Sequence, residues 1–208
     1  LSEGLDEIEW VKQLKPGLSC YGEAYDMYDL LGSRQPAVMA HVVHPNEAEY
    51  ELIKHRNVLV AHCPQSNTNA ANGVAPILQM VHDGIRVGLG TDMAGGYNLN
   101  LLRTITDAIQ ASKLRWCFTE RNGDPFAKKN FLTVANAFYL ATKGGGSFFG
   151  KVGSFEPDYE FDAVVLDDAA LADFVERPVQ DRFQRILWLY TADTVTAKFI
   201  QGTCVYQA

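Results

Sequence analysis

The chain has 208 residues, of which 47% are hydrophobic and 21% are charged. This composition is typical of a folded globular protein and excludes a chain that is mainly disordered. The formal net charge of −7 comes from 18 Lys and Arg against 25 Asp and Glu, which argues against a nucleic acid as the partner. No apolar run approaches the roughly 20 residues of a membrane-spanning helix, so we expect no contact with a membrane.

The four cysteines are widely spaced and form no Cys-x-x-Cys pair. This spacing is typical neither of a zinc knuckle nor of a disulfide framework. We therefore expect reduced and mostly buried thiols in a cytoplasmic protein. The cysteines are Cys20, Cys63, Cys117 and Cys204.

Three short apolar runs, at 36–41, 57–62 and 85–90, predict β-strands in the first half of the chain. Helical patterns at 45–55 and 75–82 separate these strands, and a loop is predicted directly after the second strand. The runs carry little polar alternation, so both faces of each strand should be covered. That is the pattern of parallel strands joined by helices, and the sequence therefore predicts an α/β fold.

The later part of the chain changes in character near residue 150. A long amphipathic helix is predicted at 99–114, and the glycines at 144–146 are expected to end another helix. The other predicted elements are helices at 133–142 and 179–189 and strands at 152–155, 161–166 and 197–200. We therefore divide the chain into an α/β part, 1–150, and a smaller strand-rich part, 151–208.

Polar residues stand where the three early strands end. His41, His62 and Asp92 occupy these positions, and the carboxyl ends of parallel strands form the edge at which α/β enzymes place their chemistry. Imidazole nitrogen and carboxylate oxygen are donors that suit a divalent metal ion. A metal site is one hypothesis, and structural histidines beside a turn carboxylate are the alternative.

Two segments then connect the chain to a known family. Residues 61–67 read AHCPQSN and residues 87–97 read VGLGTDMAGGY, and together they resemble the guanine deaminases of the amidohydrolase superfamily. Many amidohydrolases share the GLGTD portion, whereas the AGGY that follows Asp92 is typical of guanine deaminases. Residues 39–41, 141–145, 152–157 and 160–163 also agree, so the resemblance extends over nearly the whole chain.

The resemblance implies an architecture and a cofactor. Residues 1–150 would be the C-terminal portion of a distorted (β/α)₈ TIM barrel, and residues 151–208 would add strands and closing helices to a small β-sandwich domain. The family holds one Zn²⁺ per subunit, or iron in some relatives. Its H-x-H pair and fifth-strand histidine would precede Leu1, so the chain is expected to be the C-terminal fragment of an enzyme that forms a homodimer.

The same resemblance implies roles for single residues. Asp92 matches the metal ligand on the eighth strand, and His41 matches the sixth-strand histidine that faces the attacking water or the substrate. Leu1-Ser2-Glu3 matches the last three residues of the family's H-x-x-E motif, which makes Glu3 the proton shuttle. Glu3 and Asp92 would also contact the substrate, and Ser66 and Asn67 would line the wall of its pocket.

The implied activity is the hydrolytic deamination of guanine to xanthine and ammonia, a step of purine catabolism. Two alternatives stay open at this point. The intact protein could be another amidohydrolase acting on a related heterocycle, such as a chlorohydrolase or an 8-oxoguanine-type aminohydrolase. The chain could also be an inactive half-barrel with only a binding or assembly role.

Overall fold

The computed structural model describes residues 1–191 and 194–208. Within these residues the chain forms two three-stranded sheets. The strands are β1 (Val38–Ala40), β2 (Leu59–His62), β3 (Arg86–Leu89), β4 (Ala163–Leu166), β5 (Val195–Ile200) and β6 (Thr203–Gln207). The α-helices are α1 (Leu5–Leu14), α2 (Tyr21–Met27), α3 (Glu47–His55), α4 (Pro64–Asn69), α5 (Ile77–His82), α6 (Leu101–Arg115), α7 (Val134–Tyr139) and α8 (Val179–Leu189).

The first sheet is parallel, with the order β1-β2-β3. Met39 lies opposite Val60, and Val60 lies opposite Val87, so the apolar residues of the three strands are in register. Helices α3 and α5 follow β1 and β2 along the chain, as the predicted alternation requires. The α/β prediction for the first half of the chain is therefore confirmed.

Helix α6 covers this sheet and carries much of the core. Its side chains Ile105, Ala108 and Ile109 are buried, as the amphipathic pattern predicts. Asn100 caps the helix, since its side chain accepts a hydrogen bond from the Leu102 amide at 3.0 Å. The helix contacts α4, α7, α8 and β3, and α8 adds Leu187 to the same core.

The second sheet is antiparallel, with the order β4-β5-β6. Register shifts occur in β4 at Val165–Leu166 and in β5 at Lys198–Phe199. Every residue of β6 is exposed, and none of β4 is buried. The antiparallel sheet, which follows residue 150, is thus more exposed than β2 and β3 of the parallel sheet.

Several local predictions are wrong for identifiable reasons. Residues 64–69 form α4 instead of a loop, because Pro64 begins the helix and the Thr68 hydroxyl donates to the Pro64 carbonyl at 2.8 Å. The predicted strand 152–155 does not form, since Gly153 has φ +82°. The helix predicted at 133–142 is longer than expected: a π-helical turn follows α7, and the helical backbone ends at Gly146, within the glycine run predicted to stop it.

Two of the four cysteines are buried, fewer than the sequence predicts. Cys20 and Cys63 are buried, whereas Cys117 and Cys204 are exposed, and all four are free. Cys117 lies in a π-helical turn after α6, and Cys204 lies on β6. No helix among the described residues is both long enough and apolar enough to cross a membrane.

Candidate active site

The candidate site begins at the carboxyl end of β1. His41 continues the pairing with β2 for one more residue, because its amide donates to the Ala61 carbonyl at 3.0 Å. The backbone then turns sharply, with φ +72° at His41 and +47° at Val42. Left-handed backbone is uncommon for non-glycine residues and a marked outlier for a β-branched valine. This local strain marks the strand end as a place to look for function.

Glu3 lies beside the same strand end. The amides of Val43 and His44 donate to the Ser2 carbonyl at 3.0 and 3.2 Å, which fixes the segment that precedes α1. The Glu7 carboxylate accepts from the Glu3 amide at 2.8 Å and so holds the backbone of that residue. As a result, a Glu3 carboxylate oxygen lies 3.5 Å from His41 Nδ1.

Asp92 lies in a tight loop after β3. Its own φ is +46°, and its carbonyl accepts from the Gly96 amide at 2.5 Å. Gly95 is required by close approach, since a Cβ there would lie 2.6 Å from Ser66 Oγ and 2.7 Å from Asp92 Oδ2. The loop brings Asp92 Oδ2 to 3.9 Å from His41 Nε2. His41 therefore lies between the carboxylates of Glu3 and Asp92.

Helix α4 forms the buried floor of the site. Ser66 and Asn67 are almost fully buried, and Asn67 Oδ1 lies 2.9 Å from His41 Nδ1. The side-chain amide of Gln65 donates to the carboxylate of Asp107 on α6. This hydrogen bond connects α4 to the helix that covers the sheet. The structure thus brings Glu3, His41, Asp92 and Asn67 together, with Ser66 beside the Asp92 loop.

Cys63 completes a group of donor atoms. One ligand atom each from His41, Cys63 and Asp92 lies within 4.8 Å of the others. Burial raises the pKa of the Cys63 thiol to about 12, and the carboxylates of Asp92 and Glu3 add to the shift. Imidazole and carboxylate bind Zn²⁺, and a cysteine binds it once the thiol has lost its proton, so the residues fit a metal ion.

Comparisons with known proteins identify the family of this chain. The sequence pattern of the amidohydrolase family matches residues 1–187. The chain belongs to the amidohydrolase family. The guanine deaminase of Dictyostelium discoideum is 34% identical to it over 209 residues, which cover 97% of this chain and 44% of that protein.

Solved structures extend the comparison to three dimensions. The crystal structure of guanine deaminase from C. acetobutylicum, with guanine bound in its active site, matches this amidohydrolase with a TM-score of 0.90 and 40% identity, covering 99% of this chain and 47% of that one. An adenosine deaminase from Xanthomonas campestris with bound zinc matches with a TM-score of 0.77 and 23% identity, covering 99% and 44%. The second likeness concerns the fold alone. The chain spans less than half the length of these three proteins.

The structure brings together two of the three residues that the sequence places at strand ends. His41 and Asp92 come together, but His62 is not part of the donor group that the described residues form. Burial, with a contribution from His41, lowers the pKa of His62 to about 3, so the ring is neutral. His44 lies outside the group too, and its Nε2 donates to the Asn72 carbonyl at 2.6 Å.

Two features of this amidohydrolase site were missed in the sequence. Cys63 was expected to be only a buried thiol, although it directly follows His62 at the end of β2. The sequence also gives no sign of the contact between Asn67 and His41, because a loop is predicted for the residues that directly follow His62. Pro64 at the start of a segment with Thr68 and Asn69 was the local sign of a short helix.

Proposed function

We propose that the intact protein catalyses the hydrolytic deamination of guanine to xanthine and ammonia. The observation that carries the proposal is His41 between two carboxylates, 3.5 Å from Glu3 and 3.9 Å from Asp92. This arrangement lies at the carboxyl edge of a parallel sheet, in a chain 40% identical to a guanine deaminase with guanine bound. Guanine is therefore the first substrate to test.

We further propose one zinc ion per subunit as the cofactor. Asp92 would be its ligand from this chain, with His41 and Cys63 lining the same space. The remaining ligands would come from other parts of the intact protein, as the family resemblance implies. When bound, Zn²⁺ supplies Lewis acidity and makes a water molecule acidic enough to ionise near neutral pH. Support comes from the donor set and from the adenosine deaminase of the same fold that binds zinc.

The side chains of this chain would move the protons. A carboxylate within reach of the attacking water accepts its proton, which is the role we assign to Asp92. Glu3 would deliver a proton to the purine ring nitrogen and another to the departing amino group. His41, held between these two acids, would orient the attacking oxygen. The oxygen of water first bonds to the ring carbon, and the bond from that carbon to the amino nitrogen then breaks, which releases ammonia. The balance closes on the water: one of its protons ends on the ring nitrogen, and the other, lost from the hydroxyl as the new carbonyl forms, ends on the ammonia.

We propose the following architecture and setting for the intact enzyme. Residues 1–150 would form the C-terminal portion of the (β/α)₈ barrel, and residues 151–208 would belong to the small β-sandwich domain. The parallel sheet β1-β2-β3 and the antiparallel sheet β4-β5-β6 support this division. A homodimer in the cytoplasm follows from the family resemblance, and the four free thiols are in keeping with a reducing compartment.

A substrate panel tests the proposed activity. Zinc-loaded intact protein would be incubated with guanine, adenine, 8-oxoguanine, a pterin and a chlorotriazine, with product and ammonia both measured. We expect guanine to give the highest kcat/KM and to yield xanthine and ammonia in equal amounts. A higher kcat/KM for the pterin, the triazine or 8-oxoguanine would instead assign the protein to another amidohydrolase activity. Absence of turnover with every compound would favour a binding or assembly role.

A further inference from the structure

The two ring nitrogens of His41 face different kinds of neighbour. Nδ1 lies 2.9 Å from Asn67 Oδ1 and 3.5 Å from a Glu3 carboxylate oxygen. Nε2 lies 3.9 Å from Asp92 Oδ2. The Nδ1 side thus presents two acceptor oxygens, one of them at hydrogen-bond distance. A neutral imidazole carries its proton on one nitrogen only, and the other nitrogen then offers a lone pair.

We propose that Asn67 is a positioning residue that holds the proton of His41 on Nδ1. The amide oxygen of Asn67 accepts this proton, and the lone pair of Nε2 is then directed to the side of Asp92. Nε2 and Asp92 Oδ2, which are 3.9 Å apart, are then two acceptors that one water molecule can bridge. The catalytic consequence rests on the proposed function, whereas the position of the proton does not.

Asn67 suits this task better than Glu3 does. Asn67 is only 1% exposed, and its backbone is held on both sides, because its amide donates to the Cys63 carbonyl and its carbonyl accepts from the Asn72 amide. Glu3 is 21% exposed and lies farther from Nδ1. A neutral amide also fixes the tautomer without adding a charge, whereas a carboxylate bonded to Nδ1 would favour the protonated imidazolium. Glu3 therefore stays available to move protons.

The other polar atom of the Asn67 side chain indicates that this residue has more than a packing role. Its Nδ2 atom is buried and has no hydrogen-bond partner among the described residues. A buried donor without a partner is destabilising, and an apolar side chain would avoid that cost. The amide is therefore not explained by packing, and the bond from its oxygen to His41 accounts for its presence. The sequence-based prediction of Asn67 as a pocket wall assigned it no such contact.

The position of the proton can be read directly by NMR. In the intact protein labelled with ¹⁵N-histidine, long-range ¹H–¹⁵N correlations distinguish the two tautomers, and the spectrum of His41→Gln identifies the His41 signals. We expect wild-type His41 to carry its single proton on Nδ1. Asn67→Asp keeps an acceptor oxygen and adds a negative charge, so Nδ1 should stay protonated and Nε2 should gain a proton as the imidazolium forms. Asn67→Ala should show a mixture that includes the Nε2–H tautomer. A wild-type His41 protonated on Nε2 alone would overturn the proposal.

Kinetics on guanine separate positioning from substrate contact. Loss of a hydrogen-bond partner that orients a histidine of a metal site typically lowers activity by about 10–100-fold. We therefore expect Asn67→Ala to lower kcat by that factor. A positioning residue should leave KM within about threefold of wild type. Thr68→Ser, at an exposed position on the same helix, keeps the hydroxyl that donates to the Pro64 carbonyl; it is the matched control and should change neither constant. A raised KM with unchanged kcat in Asn67→Ala would make Asn67 a substrate contact and overturn the proposal.

The role proposed for Asn67 and the proposed function can be disproved separately. If the intact protein does not deaminate guanine but His41 carries its proton on Nδ1, only the proposed function is wrong. If guanine is deaminated while the wild-type proton lies on Nε2, only the role of Asn67 is wrong. Should Asn67→Ala fail to fold, the wild-type and Asn67→Asp spectra still decide where the proton lies.

Discussion

The two sheets of this chain differ in what holds them together. The parallel sheet β1-β2-β3 supplies buried side chains from β2 and β3 to the hydrophobic core, which also includes residues of α5, α6 and α7. Strands β4, β5 and β6 add none of the buried core residues, and their side chains are partly or fully exposed. Close-packed surroundings leave little freedom at a strand end. The residues proposed to carry the chemistry therefore stand at the edge of the sheet that is buried.

The same chemical change should have very different effects near the two sheets. Glu3→Gln, beside the end of β1, removes the proposed proton shuttle but keeps the size of the side chain. We expect kcat/KM for guanine to fall by about 10²–10⁴-fold, the usual contribution of a general acid or base. Steady-state assays of the intact protein measure this loss.

Glu160→Gln is the matched control, because Glu160 is an exposed residue shortly before β4. It should leave kcat/KM unchanged. Comparable losses of kcat/KM in the two variants would contradict the assignment of the chemistry to the edge of the parallel sheet. Thermal unfolding of both proteins would show whether Glu3→Gln acts on activity without loss of the fold.

A pair of valine truncations compares the two sheets in stability. Val87 of β3 is 2% exposed and Val205 of β6 is 53% exposed. Val87→Ala should lower the free energy of unfolding by about 2–3 kcal/mol, from lost burial and the cavity left behind. Val205→Ala should change it by less than about 0.5 kcal/mol. Urea denaturation measures both values, and equal losses would contradict the contrast in packing.

Two carboxylates should give the two regions opposite responses to pH. Burial raises the pKa of Glu49 above its ordinary 4.5, against the opposing effect of the hydrogen bond from the Gly22 amide. The native state then binds a proton that the unfolded chain releases, so stability falls as pH rises above about 4.5. Glu49→Gln should remove this decline. Unfolding curves between pH 4 and 7 would measure it, and an identical pH dependence in variant and wild type would contradict it.

Asp173, before α8, should act in the other direction. Hydrogen bonds from Arg177 and from the Val175 amide lower the pKa of Asp173 from 3.8 to about 2. Its contribution is therefore complete above pH 3.8 and is lost as pH falls towards 2. Because these side chains are partly exposed, the effect should be small and weakened by salt. Asp173→Asn should flatten stability between pH 2 and 4, and a variant that still loses the same stability in that window would contradict this role.

Much of the buried layer could be predicted from the sequence, because its signals are local. Uninterrupted apolar runs indicated β1, β2 and β3, and the spacing of Ile105, Ala108 and Ile109 indicated α6. Strand β6 was missed because its residues are exposed on both faces and show no apolar periodicity. The segment 152–155 looked like a strand, but a strand needs a neighbour to pair with, and periodicity does not reveal one.

The candidate site was also predictable from the sequence only in part. The strand-end rule placed His41 and Asp92 at one edge of the sheet, and the family resemblance added Glu3. The contact between Asn67 and His41 depends on α4, whose start at Pro64 was not recognised. The failure with His62 has a different cause, because a strand's last residue can lie on either face of the sheet, and the sequence alone does not say which.

The most direct test of the account is the zinc content and guanine turnover of intact Asp92→Asn. The substitution keeps the size of the side chain but removes its charge and weakens it as a metal ligand. We expect bound zinc to fall well below one per subunit and kcat/KM for guanine to fall at least about 10³-fold, as expected when both the metal and a proton acceptor are lost. Full zinc occupancy together with wild-type turnover would contradict the central claim that this chain supplies the catalytic edge of a guanine deaminase.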